Sequence, residues 1–431
     1  MYKKNLILKH FSFANGLKIK NWLLLLLLIL VSTKAFSQTK KKHKWFSEMK
    51  DSISDCVREQ PQLDLLDIYR IILKKGPRSQ KLENKKGGKK FKLALASAGS
   101  FSLAAKLGLV VSTNAAFYTD NSSDTKISAI KASLSYNLNN QIVLPIISNI
   151  WTKGNRFNLL GDWRYYKFPE HTYGLGGHTT VSQNSNSLNY SNLVIHEAVV
   201  KKFINSLYVG PAYNLSWHWG VKEEGQADGY PSDFKKYGLS KTSVSSGIGI
   251  TALYDTRLNS INPSDAHYAY LSFCPNVKFL GSDNNYQSLI IDLRKYITPG
   301  ESKNVLAFWS YSWFTFNGNA PYLDLPSTGW DTYSNMGRGY RQSRFRGKNL
   351  LYVETEYRFG ITRNGFLGGV VFANAQSVTD WPDNKFKTVY PAVGTGLRIK
   401  FNKRSNTNLC IDYGVGLNGS QGIFFNLGEV F

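Results

Sequence analysis

SNMGRGYRQSRFRGKNLLYVETEYRFGI, residues 334–361, sets Arg338, Arg341, Arg344 and Arg346 in a glycine-punctuated run and then changes character. From Leu351 on, Tyr352, Glu354, Glu356 and Arg358 alternate with Leu351, Val353, Thr355, Tyr357 and Phe359. Period two is the signature of a β-strand, whose successive side chains point to opposite faces. One face of this strand is polar and charged and the other is greasy. In a soluble protein the greasy face would be the core. A wet interior with an apolar exterior is the reverse arrangement, and the rest of the chain decides between the two.

The same texture runs from Phe91 to the end. "GLVVSTNAAFY" (108–118), "KISAIKASLSYN" (126–137), "SGIGITALYDTR" (246–257) and "YQSLIIDLRKYI" (286–297) all alternate. Asp255 and Arg257 fall opposite Ile248, Ile250 and Tyr254, and Asp292 and Arg294 fall opposite Leu289, Ile291 and Leu293. Sixteen candidate strands begin near 91, 104, 126, 140, 155, 193, 206, 244, 267, 286, 305, 349, 366, 389, 407 and 422. With the first strand running outward, the inner connections are short, among them "WTKGN", "INS" and "TRNG". The outer ones include "FPEHTYGLGGHTTVSQNSNSLNY" and "NGNAPYLDLPSTGWDTYSNMGRGYRQSRFRGK". Short turns at one end, long loops at the other and an even strand count describe an all-β fold, a 16-stranded antiparallel transmembrane β-barrel. Such a barrel satisfies its backbone groups between its own strands and leaves no edge in hydrocarbon. A charge on its lipid face at mid-bilayer would cost roughly 2–4 kcal/mol, so that face is expected to be free of charge. A soluble secreted β-sandwich also alternates, but strands of this length suit a bilayer crossing.

The N-terminal fifth carries other instructions. Of the net charge of +24, residues 1–90 supply +14, with 21 Lys and Arg against 7 Asp and Glu. Lys3, Lys4, Lys9, Lys18 and Lys20 lead into "WLLLLLLILV" (22–31), followed by "STKAFSQ" with Ala35 and Ser37 placed for a cut before Gln38. Residues 1–37 therefore read as a cleaved export signal, the apolar run being too short to span a bilayer. Residues 38–90 read as a basic periplasmic segment in which "DLLDIYRIILKK" forms one short helix ended by Gly76 and Pro77. The barrel occupies 91–431. Its residual charge is spread without a basic helix or nucleic-acid module, which argues against a nucleic-acid partner. Cys56, Cys274 and Cys410 give neither a disulfide framework nor a metal spacing, and no cofactor is expected.

At this point the residues resemble a family. "ALYDTRLNSINPSDAHYAYLSF" (252–273) resembles the strand, turn and strand of the bacterial surface antigen superfamily, to which BamA and TamA belong. "MGRGYRQSRFRGKNLLYVETEYRF" is similar to its sixth extracellular loop and twelfth strand, and 394–431 resembles its last three strands. The resemblance implies a loop that folds back into the barrel, with Arg338, Gly339 and Tyr340 at its tip. In the family the arginine meets an aspartate on the thirteenth strand; the matching residue here is Asn374, so Glu354 and Glu356 become the candidates for the charge. Asp255 and Arg257 read as lumen charges or a structural pair. Each POTRA domain of BamA and TamA is longer than the mature segment before Phe91, so none is expected there. Glu429 stands two before Phe431, where another aromatic is the family's preference.

The function implied by the resemblance is assistance to insertion, assembly or export of envelope proteins at the bacterial outer membrane. It would work through a weakly paired seam between the first and last strands, marked by Phe91, Leu93, Phe425 and Phe431. The partners expected are outer-membrane lipid, client proteins and accessory envelope proteins. The alternative is a passive channel or a structural subunit of a larger complex. No G-x-S-x-G, P-loop or H-E-x-x-H pattern appears, and an enzyme is not expected. His218 in "WHWG" reads as part of an interfacial aromatic belt.

Overall fold

The computed structural model describes residues 62–77, 92–102, 106–121, 124–137, 140–179, 185–223, 232–238, 240–300 and 302–431. The expected export signal and Phe91 lie outside them. A helix, α1 (Leu65–Ile72), precedes the strands, and a second short one, α2 (Asp233–Gly238), interrupts them. The strands are β1 (Lys92–Ser102), β2 (Lys106–Phe117), β3 (Ser128–Asn137), β4 (Ile142–Trp151), β5 (Phe157–Thr172), β6 (Asn186–Ile204), β7 (Leu207–Glu223), β8 (Thr242–Asp255) and β9 (Ala266–Asn276). They continue as β10 (Tyr286–Ile297), β11 (Val305–Phe316), β12 (Asn349–Gly360), β13 (Leu367–Asp380), β14 (Lys385–Phe386), β15 (Tyr390–Asn402), β16 (Thr407–Gly416) and β17 (Gln421–Leu427).

β14 is a two-residue spur on β13. The other sixteen form one antiparallel meander in which each strand pairs with the next, β13 passing directly to β15. Parity follows the sequence. On β12, Tyr352, Glu354, Glu356 and Arg358 are buried while Val353 and Tyr357 are exposed. Ile248, Ile250, Leu293, Val393 and Ile423 are exposed apolar side chains elsewhere on the outer wall. The buried set is rich in ions and the exposed set is greasy, so the sheet is a barrel built for lipid. Its short turns, such as 205–206 and 403–406, gather at one end; the longest loop, 317–348, is at the other.

Three features depart from expectation. β6 begins at Asn186, seven residues before the apolar alternation starts at Leu193, and pairs with an equally prolonged β5 through Thr172 and Asn186. On the added rungs Leu188 and Tyr190 are buried on the inward side, but the outward residues Ser187, Asn189 and Ser191 are polar, so no greasy lipid face marks them. β17 stops at Leu427, short of the expected end at Phe431, because Gly428 takes φ +92 and turns the chain out of the ladder. Finally, the outer wall is not free of charge. Glu197 shares the outward face of β6 with exposed Val199, accepts a hydrogen bond from Trp163 Nε1 at 2.5 Å, and lies over Gly161. The glycine leaves a notch: a Cβ there would come within 3.0 Å of Glu197 Oε1.

Candidate functional site

Arg338 is 1% exposed. Its neighbours Gly337 and Gly339 take φ +85 and +103, left-handed values that favour glycine, so the loop can present the arginine between two sharp bends. A side chain at 339 would strike Ala392 Cβ at 2.7 Å. The guanidinium pairs with Glu354 and Glu356 on β12 and, through Nη1 at 2.5 Å, with Asp412 on β16, while its plane lies 3.8 Å from the centroid of the Phe372 ring. Tyr340 donates its hydroxyl to Pro391 O at 2.7 Å and accepts the Leu417 amide at 3.0 Å. The tip residues thus touch inward-facing groups of β12, β13, β15 and β16.

The ion cluster extends beyond the residues picked out in the sequence. Arg358 pairs with Glu356 at 2.7 Å, and Arg398 pairs with Glu429 at 2.8 Å and with Asp412. Glu429 also accepts Asn408 Nδ2 at 2.6 Å. Three arginines therefore face four carboxylates in a buried patch, each carboxylate paired with at least one arginine, and such pairing is what makes their burial tolerable. Asp412, Arg398 and Glu429 were missed. Strand parity alone would have placed Arg398 and Asp412 inward, opposite Leu397 and Ile411; Glu429 gave no such signal because it lies past the turn at Gly428.

Asn374 holds the backbone of Arg338 and leaves the guanidinium to others. Asp255 and Arg257 form a fork, Nη2 to Oδ2 at 2.9 Å, with the Arg257 amide also on Asp255 Oδ1 at 2.8 Å and the Tyr268 ring 4.0 Å from the guanidinium. The pattern recurs with the acid two residues before the arginine on one face: Asp162 with Arg164 at 2.6 Å, Asp292 with Arg294 at 2.6 Å, Glu356 with Arg358. A second anchor secures the loop further out, where buried Arg346 reaches Glu170 at 3.0 Å and the carbonyl of Tyr322 at 3.1 Å. His218 is buried, between Asn192 at 3.0 Å and Ser243 at 3.3 Å, and is no part of an outer belt.

The four seam candidates separate. Phe91 is outside the described residues. Leu93 is on β1 in register with Ala115. Phe425 is exposed on the outer face of β17. Phe431 is not on an edge: the turn at Gly428 carries it inward, where its ring lies 5.2 Å from Trp309 and its carbonyl oxygen accepts from Arg358 at 3.0 Å. Among the described residues β17 is in register with β16 alone, and none of its residues is in register with β1. A cavity of about 500 Å³ lies between β17 and β2 and β3, lined by Asn114, Lys131, Asp412 and Asn426 among others. The Asn114 amide and Asn426 Nδ2 are buried there with no hydrogen-bond partner among the described residues. Among the described residues no group of His, Cys, Asp and Glu is placed to hold a metal.

The model of the Omp85 superfamily domain matches residues 180–431, more than half of the chain. Comparison with curated proteins gives no significant match. Among solved structures, BamA from Haemophilus ducreyi lacking POTRA domains 1-3 is similar at 13% identity and TM-score 0.49, over 81% of this chain and 69% of that one. CdiB from Acinetobacter baumannii is similar at 10% identity and TM-score 0.49, over 79% of this chain and 60% of that one.

Proposed function

The chain belongs to the Omp85 superfamily, a family of bacterial outer-membrane barrels of protein insertion and secretion, and from that premise we propose that it assists insertion, assembly or export of envelope proteins by opening between β1 and β17. The observation that carries the reading is the last strand: β17 has seven residues, ladders among the described residues to β16 only, and ends at a glycine turn. Unpaired N–H and C=O groups on such an edge template the pairing of another strand. The partnerless amides of Asn114 and Asn426 beside it are of the kind an incoming polypeptide backbone would satisfy.

In this reading 1–37 directs export, 38–90 lies in the periplasm where accessory proteins deliver clients, and 317–348 is the sixth extracellular loop. Arg338, Gly339 and Tyr340 are its tip, folded inward and clamped by Glu354, Glu356 and Asp412 so that the lumen stays filled while the wall opens. No step of this work calls for catalysis. The test is a set of cysteine pairs scanning 92–98 against 421–427 in the full chain. Oxidation that locks the strands together should abolish the cellular phenotype and reductant should restore it; full function in the locked barrel would refute the seam. A structural subunit of a larger outer-membrane complex is the second reading, favoured by the outward-facing Glu197, and predicts that locked barrels work normally.

A further inference from the structure

Helix α1 is amphipathic the wrong way round for a packed helix. Asp64 and Asp67, which form a reciprocal capping box at its start, are buried. Leu66, Tyr69 and Ile72 are 51%, 60% and 72% exposed, and Ile71 and Leu73 are exposed beside them. The polar side is what fastens the helix to the barrel: Lys403 Nζ pairs with Asp67 at 2.7 Å and reaches Gln62 O at 3.2 Å, and the Lys403 amide donates to Asp64 Oδ2 at 3.0 Å. The Leu63 amide donates to Asn364 O at 3.2 Å. Both contact points are turns at the short-turn end, 361–366 after β12 and 403–406 after β15.

That end fixes the height of the helix. The last outward rings of β12, Tyr357 and Phe359, stack at 5.9 Å and mark an aromatic girdle just above the 361–366 turn. A helix is about 10–12 Å across with its side chains, so one bonded to this turn lies within its own width of the lipid boundary. Basic residues complete the picture: Arg70, Lys74 and Lys75 are at its C-terminal end, and the sequence continues with Arg78, Lys81, Lys85, Lys86, Lys89 and Lys90. An uncovered apolar face with a cationic margin at this level is the make-up of a helix that lies in a membrane interface.

We propose that α1 is an interfacial foot, its Leu66, Tyr69 and Ile72 face entering the inner leaflet of the outer membrane and its basic margin taking anionic phospholipid headgroups. Lys403 and Asp67 are the ankle that positions it. The foot is separate from the seam, and its occupant is lipid, since the tether sits at lipid height and the cationic margin matches anionic lipid.

The experiment places a nitroxide at Leu66→Cys, Ile72→Cys or Lys74→Cys in the full mature chain carrying Cys56→Ser, the other two cysteines being buried. Each barrel, its folding verified by heat-dependent gel mobility, is put into bilayers of phosphatidylethanolamine with phosphatidylglycerol, and into phosphatidylcholine alone. The expected result with the anionic mixture is strong oxygen collision and weak nickel-complex collision at 66 and 72, nickel collision about tenfold higher at 74, and a smaller contrast in phosphatidylcholine. Equal nickel collision at all three sites in both bilayers would overturn the proposal. Shielding of 66 and 72 in native outer-membrane vesicles but not in pure lipid would overturn it in favour of a protein partner.

Discussion

Asn374 Nδ2 donates to the backbone carbonyl of Arg338 at 2.9 Å. It therefore holds the loop tip by its main chain at the point where the family would use a carboxylate on the side chain. Asn374→Ala should lower unfolding stability by roughly 1–3 kcal/mol, the cost of a buried carbonyl left without a donor. Asn374→Asp should be worse, by roughly 3–5 kcal/mol, because it removes the donor and adds a fifth carboxylate to a cluster with three arginines. Urea midpoints of the purified barrels rank the two; an Asp variant as stable as wild type would mean the cluster can take further negative charge.

Arg338→Ala leaves buried Glu354 without the cation it pairs with and takes one of their cations from Glu356 and Asp412, and should cost about 3–5 kcal/mol. Arg338→Lys keeps the charge but has no planar fork to serve β12 and β16 together, so it should recover less than half of that loss. The ratio of the two losses in denaturant melts is the measurement.

Glu197 lies in register with Gly161, four residues up β5 from Phe157, or roughly 13 Å along the strand and well inside the lipid band. Glu197→Gln keeps an acceptor for Trp163 and removes the charge, and should stabilise the isolated barrel by about 1–2 kcal/mol, carboxylates on a lipid face costing less than Lys or Arg. Refolding equilibria in lipid vesicles report the difference, and a loss of stability would show that the carboxylate is better accommodated in the notch than bulk hydrocarbon allows.

Tyr237, on α2 and outside the strands, donates its hydroxyl to Ala320 O at 3.0 Å, and burial pushes its pKa up to about 12. The unfolded phenol ionises near 10. The native state thus keeps its proton longer than the unfolded one, so the contribution is intact below pH 10 and is lost as pH rises through 12. Hydrogen exchange of the α2 amides should speed up over that window in wild type. Tyr237→Phe should show faster exchange at neutral pH, through loss of the hydrogen bond, and a flatter alkaline response.

How far these features could be read in the sequence depends on whether a pattern was local. Strand starts at 286, 305, 349 and 407 coincide with the expected ones because inward and outward neighbours differ sharply along a single strand. The extension of β6 above Leu193 was missed because its outward residues Ser187, Asn189 and Ser191 are polar: Leu188 and Tyr190 still alternate inward, but no greasy outer face sets them off from a loop. Glu354 and Glu356 were legible as inward charges and do meet Arg338. Asp412 and Glu429 come from strands and turns up to ninety-one residues away from that arginine, and only closure of the sheet brings them there. Glu197 escaped because the notch that shelters it belongs to the neighbouring strand.

The couples Asp162 with Arg164, Asp255 with Arg257, Asp292 with Arg294 and Glu356 with Arg358 are each formed within one strand or at its tip. Such a segment brings its own counter-ion. During biogenesis it can leave water as a short dipole without waiting for a distant neighbour to cancel a bare ion, so hairpins carrying these couples can enter the bilayer in sequence order. Arg338 has no such companion beside it, and its carboxylate partners are assembled only once β12 and β16 are both in place.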